Sequence, residues 1–144
     1  MAIANYSTKL GQERSVEQIR VMLARHGASS ISFTYTNKQP SAVLFVISAA
    51  GREIPFQLPC KWPGVLEAMK RDPNIPSKYK TERQARRTAW RITHDWLRAQ
   101  LAIVEAEQAE LVEVFLPYAV LSDGQTVYQA FSDKGFPALA PARR

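Results

Sequence analysis

Apolar and polar positions change period several times along this chain, and each change marks an element. Val16, Ile19, Met22 and Leu23 recur at helical spacing. Ser15 precedes them with Gln18 three residues on, the arrangement of a capping box. Gly27 stands where a C′ residue needs positive φ, so the pattern predicts a helix over 15–26. Ile31, Phe33 and Tyr35 then alternate with Ser32, Thr34 and Thr36, as a half-buried strand does. Asn37 to Pro40 makes a turn. Ala42 to Ile47 is apolar on both faces, which suits a central strand. After a turn at Ala49 to Arg52, Ile54, Phe56 and Leu58 alternate again. Pro55 lacks an amide donor and places this last strand at a sheet edge. Short connections make the strands 31–36, 42–48 and 53–58 an antiparallel meander, with Phe45 deeply buried at its centre.

Pro59, Pro63, Pro73 and Pro76 interrupt the next stretch of chain. Segment 59–80 reads as a basic, proline-rich loop holding two helical turns over 65–71. Thr81 to Gln84 repeats the capping-box spacing and opens one long helix reaching Glu113. Ala85, Ala89, Ile92, Trp96, Ala99 and Ile103 form a stripe along it, widened by Leu97, Leu101 and Val104. That stripe is expected to pack on the sheet. Leu116-Pro117 ends the helical region, and Thr126 to Gln129 has the spacing to start a short helix. The predicted architecture is α+β: an N-terminal helix, a three-stranded antiparallel meander, a long C-terminal helix on the sheet and a small C-terminal extension. Residues 1–13 are expected to be a flexible N-terminus, 14–136 a single domain and 137–144 a flexible tail.

Charge sharpens this picture more than composition does. The 144 residues, 46% of them hydrophobic, fit one ordinary domain with a core. The net charge of +6 is unevenly placed: residues 1–60 carry +3, residues 61–98 carry +6 and residues 99–144 carry −3. In the predicted long helix, Arg83, Arg86, Arg87, Arg91 and Arg98 occupy the first half. Glu105, Glu107, Glu110 and Glu113 occupy the far end. The helix dipole favours the reverse, and each such misplacement costs a few tenths of a kcal/mol, roughly, at an exposed site. Clustered arginines in that position argue for an anionic partner. Arg83, Arg87, Arg91, His94 and Arg98 share one helical side, with Trp90 at its margin. Arginine's planar fork suits phosphate oxygens, and an aromatic ring can stack on a base. Lys78 and Lys80 extend the patch toward the helix N-terminus, which itself attracts anions. The plainer reading of the same residues is a solvated face with one packed tryptophan.

Candidate chemistry is sparse. Cys60 is the only cysteine, so neither an intramolecular disulfide nor a zinc-binding cysteine cluster is expected, and a reducing, cytoplasmic setting fits. Met1 to Tyr6 lacks the basic and apolar regions of a signal peptide, and no apolar run approaches membrane-spanning length. No membrane partner is therefore expected. His26 and His94 have no cysteine or carboxylate at ligand spacing, and nucleotide-binding and hydrolase motifs are missing. The chain reads as a non-enzyme with no metal and no cofactor.

Two resemblances arise from these residues. The helix, three-strand, helix order over about 15–104 resembles the double-stranded-RNA-binding fold, whose second helix opens with a basic, alanine-containing segment. Thr81-Glu82-Arg83-Gln84-Ala85-Arg86-Arg87-Thr88-Ala89 is similar in kind. The resemblance implies that Lys80, Arg83 and Arg87 face phosphates, while the 59–80 insertion and the long helix depart from that family. Separately, Arg14 to Ile19, Leu23 to Ala28, Gly51 to Pro59, Phe115 to Tyr118 and Asp123 to Val127 resemble a family of small, uncharacterised bacteriophage proteins. That likeness implies a phage or prophage source and assigns no site. The expected function is non-catalytic nucleic-acid binding, with Lys78, Lys80, Arg83, Arg86, Arg87, Arg91 and Arg98 on phosphates and Trp90 stacking or packing. Two other readings fit the same charge: a phage protein that modulates a host defence or transcription protein, and a homo-oligomer joined through basic and acidic halves of the long helix.

Overall fold

The computed structural model describes residues 1–142. Helix α1 (Gln12–Arg25) leads into strands β1 (Ser30–Thr36), β2 (Gln39–Ala49) and β3 (Arg52–Pro59). Helices α2 (Trp62–Arg71), α3 (Glu82–Glu105), α4 (Leu111–Phe115) and α5 (Val127–Asp133) complete the described chain. The strands form an antiparallel sheet in the order β1-β2-β3, so the predicted α+β meander is the observed one. Both hairpins are two-residue turns. Their central residues, Asn37 and Lys38 (φ 51° and 65°) and Ala50 and Gly51 (φ 52° and 73°), take the positive φ of a type I′ turn.

Strand register gathers one apolar face. Phe45 lies between Ile31 and Phe56, and Val43 between Phe33 and Leu58. Phe45 and Phe56 stack at 5.2 Å between ring centroids, and Phe115 of α4 meets both edge-on. Helices α1 and α3 lie on this face. They run parallel, because Gly11 to Glu13 and Glu82 with Arg83, at their starts, line one groove and His26 meets Glu105 at their ends. The opposite face carries the exposed Ser32, Thr34 and Thr36, with Leu44 and Val46 half-buried. No helix among the described residues is long and apolar enough to cross a membrane.

Several expectations change. The long helix ends at Glu105 rather than Glu113. Glu107 takes φ 58°, its amide bonds Val104 O and the Gln108 amide bonds Ile103 O, the pattern of a Schellman stop. The turn at 106–110 brings Phe115 back onto Phe45 and Phe56, which a straight helix would not do. Helix α1 starts at Gln12 with Gly11 as N-cap, so Ser15 is a buried interior residue rather than a cap. In α3 the Thr81 hydroxyl does accept from the Gln84 amide, at 3.2 Å. The Gln84 side chain turns elsewhere, donating to the carbonyls of Tyr6 and Thr8 at 3.0 and 2.9 Å. Only Thr126 and Gln129 close a full box among the three predicted.

Segment 59–80 is mostly ordered structure: α2 begins at Trp62, and a 3-10 turn occupies Ser77–Tyr79. The N-terminal residues, read as flexible, lie along α3. Thr88 donates to Asn5 O, and Ala2, Ile3 and Tyr6 pack on a second small core of Met69, Ile75 and Ala85. In the tail, read as flexible over 137–144, Arg143 and Arg144 lie outside the described residues.

The buried sector of α3 is also rotated from the predicted stripe. It comprises Gln84, Ala85, Thr88, Ala89, Trp90, His94, Leu97 and Leu101, while Ala99 is exposed. Helices α1 and α2 both pack on α3, so its buried sector extends well beyond the side facing the sheet.

Candidate nucleic-acid interface

The arginine side of α3 divides into a structural part and a free part. Trp90, 2% exposed, meets Phe33 edge-on and donates its indole N–H to Pro40 O at 3.2 Å. It has no face left for a base, so of the two roles expected for it, stacking or packing, it packs. Arg91 is nearly buried as well, its side chain 12% exposed. It donates to Gln18 Oε1 at 2.7 Å and approaches Ser15 Oγ at 3.4 Å. The His94 ring is buried beside it. Arg91 Nη2 approaches both ring nitrogens of His94, at 2.5 Å from Nδ1 and 3.0 Å from Nε2, and Nδ1 also lies 2.9 Å from Asp95 Oδ1. Arg91 thus joins α1 to α3 through its hydrogen bonds, and the exposed remainder of its side chain lines the cleft between the two helices.

Asp95 completes this network. Partial burial pushes its carboxyl upward. The hydrogen bonds from His94 and Asn5 and the Arg91 charge outweigh that, and the group lies below the usual carboxylate range.

The free part lies at the start of the helix. Arg83 is exposed and Arg87 half-buried, and neither has an ion-pair partner among the described residues. Both line a groove of about 410 Å³ where the N-termini of α1 and α3 meet, with Arg86, Gln12 and Gln39 beside them. Gly11 caps α1 without a side chain, so its first-turn amides have no capping side chain and the Arg14 amide turns back to Gly11 O at 3.1 Å. Gln12 donates its amide to Gln39 across the groove wall, leaving its buried Oε1 unpartnered. Glu13 and Glu82 share the lining and temper the positive charge. Arg86 is partly committed, ion-paired to Glu82 at 3.1 Å and stacked 4.9 Å from the Trp62 ring.

The remaining predicted residues scatter. Lys78 sits 5.0 Å from the Tyr79 ring, Lys80 is half-buried in the loop before α3, and neither lines the arginine groove. Arg98 is exposed and lines a different groove between α1 and α3, about 550 Å³, together with Arg25, His26, Arg91, His94 and Glu105. Gly11, Gln12 and Gln39 are the site residues that sequence patterns did not mark, because only the parallel packing of α1 and α3 brings them there. Among the described residues no group of three or more His, Cys, Asp or Glu side chains is placed to hold a metal. Burial pushes the Cys60 thiol up to about 11 against a partial opposing effect of the Thr93 hydroxyl, so it is a packed thiol rather than a nucleophile.

No protein-family model, curated protein or solved structure matches the chain.

Proposed function

We propose that the protein is a non-catalytic nucleic-acid-binding protein whose phosphate contacts centre on the groove between the N-termini of α1 and α3. One observation carries this reading: Arg83 and Arg87 enter that groove beside two helix N-termini without ion-pair partners among the described residues. Unpaired guanidinium groups and helix N-terminal amides are the donors that phosphate oxygens require. Arg86 adds charge at the rim, and Lys78 and Lys80 raise the local potential from the preceding loop. Arg91 and Trp90 act indirectly, holding α1, α3 and the β1–β2 hairpin in the arrangement that forms the groove.

Fluorescence anisotropy with labelled single- and double-stranded DNA and RNA tests this at low salt, on the order of 50 mM. Binding of at least one form is expected, with the Arg83→Gln/Arg87→Gln variant roughly ten-fold weaker or more, as for the loss of two charge-assisted phosphate contacts. Absence of binding to all four forms would overturn the proposal. So would a double variant that binds like the parent.

A further inference from the structure

We propose that the nucleic acid taken is single-stranded, with unpaired bases held along a track that leaves the arginine groove and crosses onto the open face of the sheet. This rests on the nucleic-acid reading above and deepens it. Three clefts adjoin in order. Arg86 lines both the arginine groove and a neighbouring cleft of about 590 Å³ bounded by Thr34, Thr36, Lys61 and Trp62. Gln57, Pro59 and Lys61 line that cleft and also a third of about 530 Å³, which ends at Tyr118 and Tyr128.

The chemistry changes along the track as a single strand would need. It starts with guanidinium groups and helix N-termini. It passes Trp62, on which Arg86 is already stacked, and the exposed Lys61. It ends on Tyr128, 56% exposed, whose ring lies 6.1 Å from Phe136. Phe136 braces the Tyr128 ring on one side and leaves it accessible, so little freedom is lost when a base stacks there. Every base offers a π face, but only an unpaired base offers it to a side chain. A duplex presents phosphates to Arg83 and Arg87 and has no group to place on Tyr128. The Thr34 hydroxyl, the Gln57 amide and the side-chain amide nitrogen of Gln129, whose Oε1 is held by Thr126 N, line the way and meet any base edge, which predicts weak sequence preference.

The test compares a labelled oligodeoxythymidylate with a duplex of equal length at fixed low salt, for the full chain and for Tyr128→Ala, Tyr128→Phe and Lys61→Gln. Urea melts serve as the folding control. The single strand should bind more tightly than the duplex. Tyr128→Ala should weaken single-strand binding roughly ten-fold, the order expected for one lost base stack, and leave duplex binding unchanged. Tyr128→Phe should restore it. Should Tyr128→Ala melt early, Lys61→Gln decides, by weakening the single strand more than the duplex. Equal binding of both forms with no effect of Tyr128→Ala or Lys61→Gln would overturn this inference and leave the phosphate groove standing, provided Arg83→Gln/Arg87→Gln still weakens both. Loss of binding to both forms in the parent protein would overturn the underlying reading instead.

Discussion

Replacing Arg91 by glutamine separates structural from ligand-binding arginines on the same helix. The side chain gives up its 2.7 Å hydrogen bond to Gln18 Oε1, its approach to Ser15 and its contact with the His94 ring. A hydrogen bond from a charged donor is worth about 1.5–3 kcal/mol. The 3.5 Å ion pair to Asp95 adds less than about 1 kcal/mol, because that carboxylate is 52% exposed and screened. Glutamine keeps the first methylenes and the helix propensity, so backbone effects stay small. The total is about 2–3 kcal/mol of lost stability. At about 3 °C per kcal/mol for a chain of this length, the melting temperature should fall by roughly 6–9 °C. Urea unfolding should show a lower midpoint at an unchanged m-value. Nucleic-acid affinity of the folded fraction should fall much less than in Arg83→Gln/Arg87→Gln. A melting temperature that holds while affinity drops as far as in Arg83→Gln would refute the reasoning, since Arg91 would then be serving phosphate rather than α1.

Three further outcomes rest on particular contacts. Phe45→Ala removes the ring that Phe56 and Phe115 pack against and should cost about 3–5 kcal/mol in a urea melt; an unchanged midpoint would contradict its place at the centre of the core. Glu107→Gly relieves a left-handed residue at φ 58° in the stop after α3 and should raise stability by up to about 1 kcal/mol, whereas a loss would mean the Glu107 side chain matters more than its backbone. Cys60 keeps its proton up to about 11 in the folded chain, against 9.0 for an unperturbed thiol. The unfolded chain therefore binds fewer protons between those values, and stability should fall as pH rises from about 9 to 11. Cys60→Ala should remove that part of the slope, and a parent and variant with the same profile would contradict the buried thiol.

The strands were legible because alternation and turn chemistry agreed locally. Ile31, Phe33, Ile54, Phe56 and Leu58 show period two, and the connections were short enough to leave one antiparallel topology. The helix stops show where such reading ends. Gly27 (φ 91°) marks the end of α1 openly, while the equivalent position after α3 is Glu107, a residue with no preference for positive φ. The stop there is set by Phe115 packing on the sheet, a tertiary contact invisible to periodicity. The candidate site divided for a similar reason. Charge counting placed Arg83, Arg87, Arg91 and Arg98 on one side of a helix, and they do share it. That side also faces α1, so neighbours three or four residues apart meet different surroundings. Arg83 meets an open groove, while Arg91 and Arg98 line a second one, where Arg91 is tied to Gln18 and Ser15 and Arg98 is exposed. Charge also opposes the α3 dipole less than the sequence implied, since of the four glutamates only Glu105 lies on the same helix as the arginines, and Glu82 stands in the first turn where the dipole favours it.

The most direct test of the phosphate groove is the salt dependence of binding for the parent and for Arg83→Gln/Arg87→Gln. The logarithm of the association constant should fall linearly with the logarithm of salt concentration in the parent. Each phosphate neutralised contributes about 0.7–0.9 to the slope, so the double variant should show a slope shallower by about 1.4–1.8. Equal slopes in the two proteins would place the phosphates elsewhere and contradict the account.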